Sequence, residues 1–70
     1  MEIIKLREDY IKLGQALKAA GLVGSGVEAK EVILDGLVKV NGNIEIQRGK
    51  KLYEGDIVTY DGEEIKIEKW

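Results

Sequence analysis

The side chains best equipped for chemistry in this 70-residue sequence are cations: Lys30 and the run Arg48-Gly49-Lys50-Lys51, with Lys18 and Lys39 as secondary candidates. Guanidinium and ammonium groups hold phosphate oxygens, so such a set suits contact with a polyanion. Other chemistries are thinly supplied. There is no cysteine, hence no thiol nucleophile, disulfide or thiolate metal site, and no histidine, the commonest general base and metal ligand. Glu63-Glu64 is a carboxylate pair, but adjacent residues in a strand or turn point in different directions and cannot flank one substrate. Asp56 beside Glu54 cannot assemble a coordination sphere. No catalytic residue, metal or cofactor is expected.

Charge is unevenly distributed. The formal net charge is −2, yet from Lys12 to Lys51 seven basic residues face four acidic ones, a balance of +3, and from Leu52 to Trp70 two face six, a balance of −4. An anion-binding surface must therefore come from the middle of the chain. On a helical wheel Gly26 and Lys30 fall side by side, away from Glu28, Glu31 and Asp35. Lys30, an Asn41-Gly42 hairpin and the Arg48 to Lys51 loop would then form one basic face. The plainer alternative, that these charges only solvate a helix and a turn, stands beside it.

A chain of this length buries only about 60% of the surface its unfolded form exposes, so it has room for one unit, residues 1–70, and no second. No apolar run is long enough to span a membrane, and Glu2 and Lys5 interrupt the amino-terminal apolar residues, so neither insertion nor export is expected. A cytoplasmic monomer is the expectation.

The elements that must position these cations are legible from periodicity. Ile3 to Leu6 reads as a strand, followed by a polar turn at Arg7-Glu8-Asp9. Leu13, Ala16, Leu17 and Ala20 recur at helical spacing with Gly21 as the stop, although Lys12 is a poor N-cap. Ser25 caps a second helix, Glu28 completes a capping box, and Gly36 terminates it; Ala29, Val32 and Ile33 share its apolar face, and Leu22 and Val23 pack beneath the link. Period-two strands follow: Leu37, Val38 and Val40, then Ile44 and Ile46 across Asn41-Gly42, then Ile57, Val58 and Tyr60 after Gly55-Asp56, then Ile65 and Ile67 after Asp61-Gly62. The last strand could pair with Ile3 to Leu6. The expectation is an α+β fold, two short helices packed on a small, mostly antiparallel sheet of four or five strands.

Several residues have structural readings that come first. Asn41-Gly42 is a type I′ turn device before it is a ligand surface. Gly21, Gly24 and Gly26 form no phosphate-binding fingerprint, since no strand leads into them and the lysine and hydroxyl of a Walker loop are missing. Tyr10, Tyr53, Tyr60 and Trp70 are scattered aromatics better explained by packing; Tyr53, beside the basic loop, is the one to test as a stacking surface.

Read together, Leu13 to Lys18, Gly21-Leu22-Val23 with Ser25, Ala29-Lys30, Ile33, Gly36, Val38, Val40-Asn41-Gly42 and Gly55-Asp56 resemble the S-four RNA-binding domain, or alpha-L RNA-binding motif. The likeness covers about residues 13 to 58, and Arg48 to Asp56 is similar to the small stand-alone bacterial members of the YaaA and YbcJ type. The resemblance implies a non-enzymatic domain that docks on structured RNA, ribosomal or transfer RNA, with ribosomes or ribosome-assembly intermediates as partners. The expected RNA-binding set is Lys30, Arg48, Lys50 and Lys51 for charge, Lys18 and Lys39 as secondary candidates, and Asn41, Gly42, Ser25 and Gly26. Family members with stronger signatures carry arginine after the capping serine and after the helix-two alanine, where this chain has Gly26 and Lys30, which implies modest affinity. Two alternatives remain open. One is a protein-interaction module working on a ribosome-associated or nucleic-acid-processing partner. The other is a β-grasp sulfur carrier, which also shows a VNG strand but needs a Gly-Gly carboxy terminus, where this chain ends Ile67-Glu68-Lys69-Trp70.

Overall fold

A computed structural model describes all 70 residues. In chain order the elements are β1 (Glu2–Leu6), β2 (Ile11–Lys12), α1 (Leu13–Ala19), α2 (Gly26–Leu34), β3 (Val38–Val40), β4 (Asn43–Ile44), β5 (Lys51–Leu52), β6 (Ile57–Tyr60) and β7 (Glu63–Lys69). Five strands form one sheet in the order β1-β7-β6-β3-β4, antiparallel except for the parallel β1·β7 pair, and β2 and β5 make a separate two-stranded ribbon. The expected α+β class, with two helices on a mostly antiparallel sheet, is what forms. The first and last strands do pair, Ile4 opposite Ile67, and tie both termini into one sheet. No helix is long and apolar enough to cross a membrane.

Both helices end for the same local reason. After α1, Gly21 N–H donates to the Lys18 carbonyl and Leu22 N–H to Leu17; after α2, Gly36 N–H donates to Ile33 and Leu37 N–H to Val32. With Gly21 and Gly36 at φ +75° and +76°, these are Schellman closures that satisfy the last carbonyls. The starts differ. Ser25 Oγ accepts from Glu28 N–H at 3.1 Å, as a capping serine should, but the Glu28 carboxylate accepts from Gly24 N–H at 2.6 Å rather than from Ser25. This lies one residue outside the expected capping box, and it ties down the link between the helices. Lys12 has no oxygen to offer α1. There the Gln15 side chain accepts from Lys12 N–H at 3.3 Å, and the carbonyls of Lys50 and Arg48 accept from Leu13 and Gly14 N–H at 2.8 and 3.0 Å. The basic loop thus caps the helix that its own sequence leaves uncapped.

One cluster of thirteen buried apolar residues joins the layers: Leu13, Ala16 and Leu17 from α1, Ala29 and Ile33 from α2, and Val38, Val40, Val58, Ile65 and Ile67 from the sheet, closed by Leu6, Val23 and Leu52. A fully buried side chain of the size of Leu17, Ile33 or Ile67 stabilises the fold by about 1.5–3 kcal/mol. Period-two alternation puts Lys39, Glu64, Lys66 and Glu68 on the outer face of the sheet, away from the helices.

The hairpin after α2 departs from expectation. Leu37 lies outside β3, and the return strand β4 is only two residues long, with Ile44 60% and Ile46 56% exposed. The core already has its layer from Val38 and Val40, so period-two isoleucines on an edge strand have nothing to pack against. The chain around Lys51, expected to be loop, is β5, because Ile11 and Lys12 pair with Leu52 and Lys51.

Candidate nucleic-acid interface

Anchoring the basic loop on the first turn of α1 creates a groove. Its walls are Lys12, Gln15 and Lys18 along α1, Gly26 and Ala29 on the first turns of α2, and Arg48 and Gly49 on the loop, with Gly14 as the floor; its volume is about 380 Å³. Three of these residues are cations and none is a carboxylate. The sole ion pair in the protein is Lys69 with Asp9, 2.9 Å apart at the other end of the chain, so the groove cations keep their charge free for an incoming anion. The groove is open at Gly14 and Gly26 because neither puts a side chain into it. A Cβ on Gly14 would lie 3.6 Å from the Arg48 carbonyl oxygen and 3.9 Å from Ala29 Cβ, and a Cβ on Gly26 would meet nothing within 4 Å. The amino terminus of α2 begins at Gly26, which adds the partial positive charge of the helix dipole.

Lys50 and Lys51 line a second, neighbouring depression of about 300 Å³ that also holds Asn41, Asn43, Glu45, Tyr53 and Asp56. This depression is mixed in charge, and its Asn41 and Asp56 side chains are already engaged. Asn41 Oδ1 accepts from Ile57 N–H at 2.9 Å, Asn41 Nδ2 donates to Asp56 Oδ1 at 3.0 Å, and Asp56 Oδ2 accepts from Tyr53 N–H at 2.8 Å. Asn41 at φ +51° and Gly42 at +85° make the primed turn, so the Asn-Gly and Gly-Asp pairs are two halves of one clasp that holds the hairpin to the start of β6.

The residues singled out from sequence are therefore distributed. Arg48, Lys18 and Gly26 share the groove; Lys50, Lys51 and Asn41 share the neighbouring depression; Gly42 shapes the turn. Ser25 Oγ is spent on its cap. Lys30 is exposed one helical turn beyond Gly26, outside the groove lining, and Lys39 is on the outer face of the sheet.

Two features of this surface lie outside the sequence expectations. By sequence Lys12 is only a poor helix cap, yet Lys12, Gln15 and Lys18 recur every three residues from the start of α1, a spacing that marks one edge. Tyr10 lies 43 positions before Tyr53, and no local signal joins them; only the β2·β5 pairing sets their rings 6.2 Å apart, with Lys51 Nζ 4.8 Å from the Tyr10 ring centre. At the carboxy-terminal ends of β1 and β7, Trp70 is flanked by Lys5 Nζ at 5.0 Å and Arg7 Cζ at 5.3 Å.

A helix pair on this sheet, a loop-capped first helix and an Asn41–Asp56 clasp define an α+β module of the S-four architecture. The chain matches the model of the S4 domain over residues 4–68 and belongs to that family. It is 41% identical over 59 residues to "Probable ribosome maturation protein RlbA" of Bacillus subtilis (strain 168), covering 84% of this chain and 83% of that protein. It is 31% identical over 61 residues to "Putative RNA-binding protein YbcJ" of Escherichia coli (strain K12), covering 87% of each.

Proposed function

We propose that this protein binds structured RNA through the groove between α1, α2 and the Arg48 loop, by shape and phosphate contact without hydrogen-bonded base readout. The observation that carries this is a groove with three unpaired cations and no carboxylate in a protein of net negative charge. A phosphate backbone seats against Gly14 and Gly26, where the missing side chains let it approach Lys12, Lys18 and Arg48. Lys50 and Lys51 extend the contact over the loop, and Lys30 along α2. The name of the Escherichia coli relative supports RNA as ligand, and that of the Bacillus protein supports a setting in ribosome maturation, for which ribosomal RNA in the cytoplasm is the reading we adopt. The chain acts by binding, not by catalysis.

The test is titration of a structured ribosomal RNA fragment at several salt concentrations with wild type, a Lys18→Gln/Arg48→Gln variant, and Lys39→Gln as the control on the far face. Each lost phosphate contact lowers the salt slope by roughly 0.7–0.9. The groove variant should therefore lose roughly 1.4–1.8 units of slope while Lys39→Gln leaves it unchanged. Equal loss per removed charge, so that Lys39→Gln loses half as much slope as the groove variant, would show that bulk charge, and not the groove, holds the RNA.

One observation favours a second reading. Leu37 and Ile44, both more than half exposed on either side of Gly36, stand beside the unpaired β4 edge and suit protein docking. Absence of RNA binding by wild type near physiological salt would favour that alternative.

A further inference from the structure

The β2·β5 ribbon carries more than its hydrogen bonds require. Ile11 faces Leu52 and Lys12 faces Lys51. Leu52 is fully buried and Ile11 half-buried, so alternation turns Tyr10, Lys12, Lys51 and Tyr53 to the opposite, outward side. Extending the register by one residue sets Tyr10 opposite Tyr53, and their ring centres are 6.2 Å apart at an interplanar angle of 51°. Lys51 Nζ lies 4.8 Å from the centre of the Tyr10 ring. Inward packing is already supplied by Ile11 and Leu52, yet both rings stay open to solvent, Tyr10 37% and Tyr53 49% exposed.

The platform is continuous with the groove. Lys12 belongs to both: it lines the groove and is two residues from Tyr10, roughly 7 Å along an extended strand. A nucleic-acid backbone held at Lys12 therefore passes the rings within about one nucleotide. Exposed aromatic rings beside cations are what unpaired bases stack on, whatever their sequence, whereas bases inside a continuous helix are not free to leave their neighbours.

We propose that the Tyr10–Tyr53 pair, with Lys51 supplying the charge for the flanking phosphate, is a stacking site for one unpaired base. The ligand is then an RNA helix with a bulge or loop beside it, not a continuous duplex. This rests on the groove holding the phosphates and adds to it a preference that phosphate contact alone does not create.

The experiment compares two hairpin RNAs with identical stems, one fully paired and one carrying a single bulged 5-iodouridine, binding to wild type, Tyr10→Leu/Tyr53→Leu and Tyr10→Phe/Tyr53→Phe. Wild type should bind the bulged RNA tighter by roughly five- to a hundredfold. The leucine variant should lose that difference and keep its affinity for the paired hairpin, and the phenylalanine variant should keep both. Irradiation should crosslink the iodouridine to Tyr10 or Tyr53 in wild type, a readout that ribbon stability alone does not produce and that decides the matter if the leucine variant fails to fold. Equal binding of the two hairpins by wild type, a difference that survives the leucine substitutions, or a crosslink elsewhere would overturn the stacking site and leave the groove intact. Binding of neither hairpin by wild type would overturn both.

Discussion

Gly26→Arg should convert this protein into a tighter RNA binder at almost no cost in stability. Gly26 is the first residue of α2, exposed, with no atom within 4 Å of the position its Cβ would take and no positive φ to strain a side chain. Filling a helical glycine recovers roughly 0.5–1 kcal/mol of backbone entropy. A cation at a helix amino terminus gives back roughly 0.3–1 kcal/mol through the dipole, so the two effects nearly cancel and the melting temperature should move by only a few degrees. The Glu28 carboxylate, held on Gly24 N–H, does not compete for the new guanidinium. One added phosphate contact steepens the salt slope by roughly 0.7–0.9, which at 0.15 M salt amounts to about four- to fivefold in affinity. Fluorescence anisotropy with a ribosomal RNA fragment at a series of salt concentrations measures both quantities, and Gly26→Glu should change them in the opposite sense. A folded Gly26→Arg variant with an unaltered slope would show that the phosphates do not pass this wall, and the groove assignment would fail.

The clasp and the terminal ion pair are open to independent tests. Asn41→Ala removes two side-chain hydrogen bonds and leaves alanine at a positive φ, at a cost of about 2–3 kcal/mol; Asn41→Gly relieves the strain and should recover about 1 kcal/mol of that in urea denaturation. Identical midpoints for the two would mean that backbone strain plays no part. The hydrogen bond from Lys69, followed by its positive charge, holds the Asp9 carboxyl below its ordinary range, and the same partners in reverse order of residue raise the Lys69 ammonium. Protonating Asp9 removes the pair, so its contribution is complete above the ordinary carboxylate pKa and fades as pH falls through the depressed one; deprotonating Lys69 removes it again as pH rises through the raised one. Both groups are exposed, so Asp9→Asn should flatten the acid limb of the stability profile only slightly, and high salt should erase the difference from wild type. A salt-independent difference would point to a role other than charge pairing.

Much of this architecture is written locally. Ser25, Gly21 and Gly36 mark helix ends because a cap needs a side-chain oxygen and a Schellman closure needs a left-handed residue, conditions each met within a few positions. Asn41-Gly42 and Asp61-Gly62 mark hairpins for the same reason, since positive φ at two successive residues is rare outside such pairs. Alternation around Val38, Val40, Val58, Ile65 and Ile67 shows which strand faces are buried. The hydrophobic pattern alone overstated Ile44 and Ile46, because period two says which side a residue faces and not whether a layer exists to cover it.

The opening cations divide along the same line. That the chain carries a basic middle and an acidic end is a property of the sequence, and so is the absence of histidine and cysteine. Which cations act together depended on the backbone of Arg48 and Lys50 accepting from Gly14 and Leu13, a bond between segments more than thirty positions apart that no periodicity encodes. That anchorage brings Lys12 and Lys18 to Arg48, and the β2·β5 pairing beside it sets Lys51 opposite Lys12 and Tyr10 against Tyr53. Local propensity determines elements because its energies act over a few residues; the site was decided only by tertiary contact, because uncapped N–H groups on α1 found their acceptors in a distant loop.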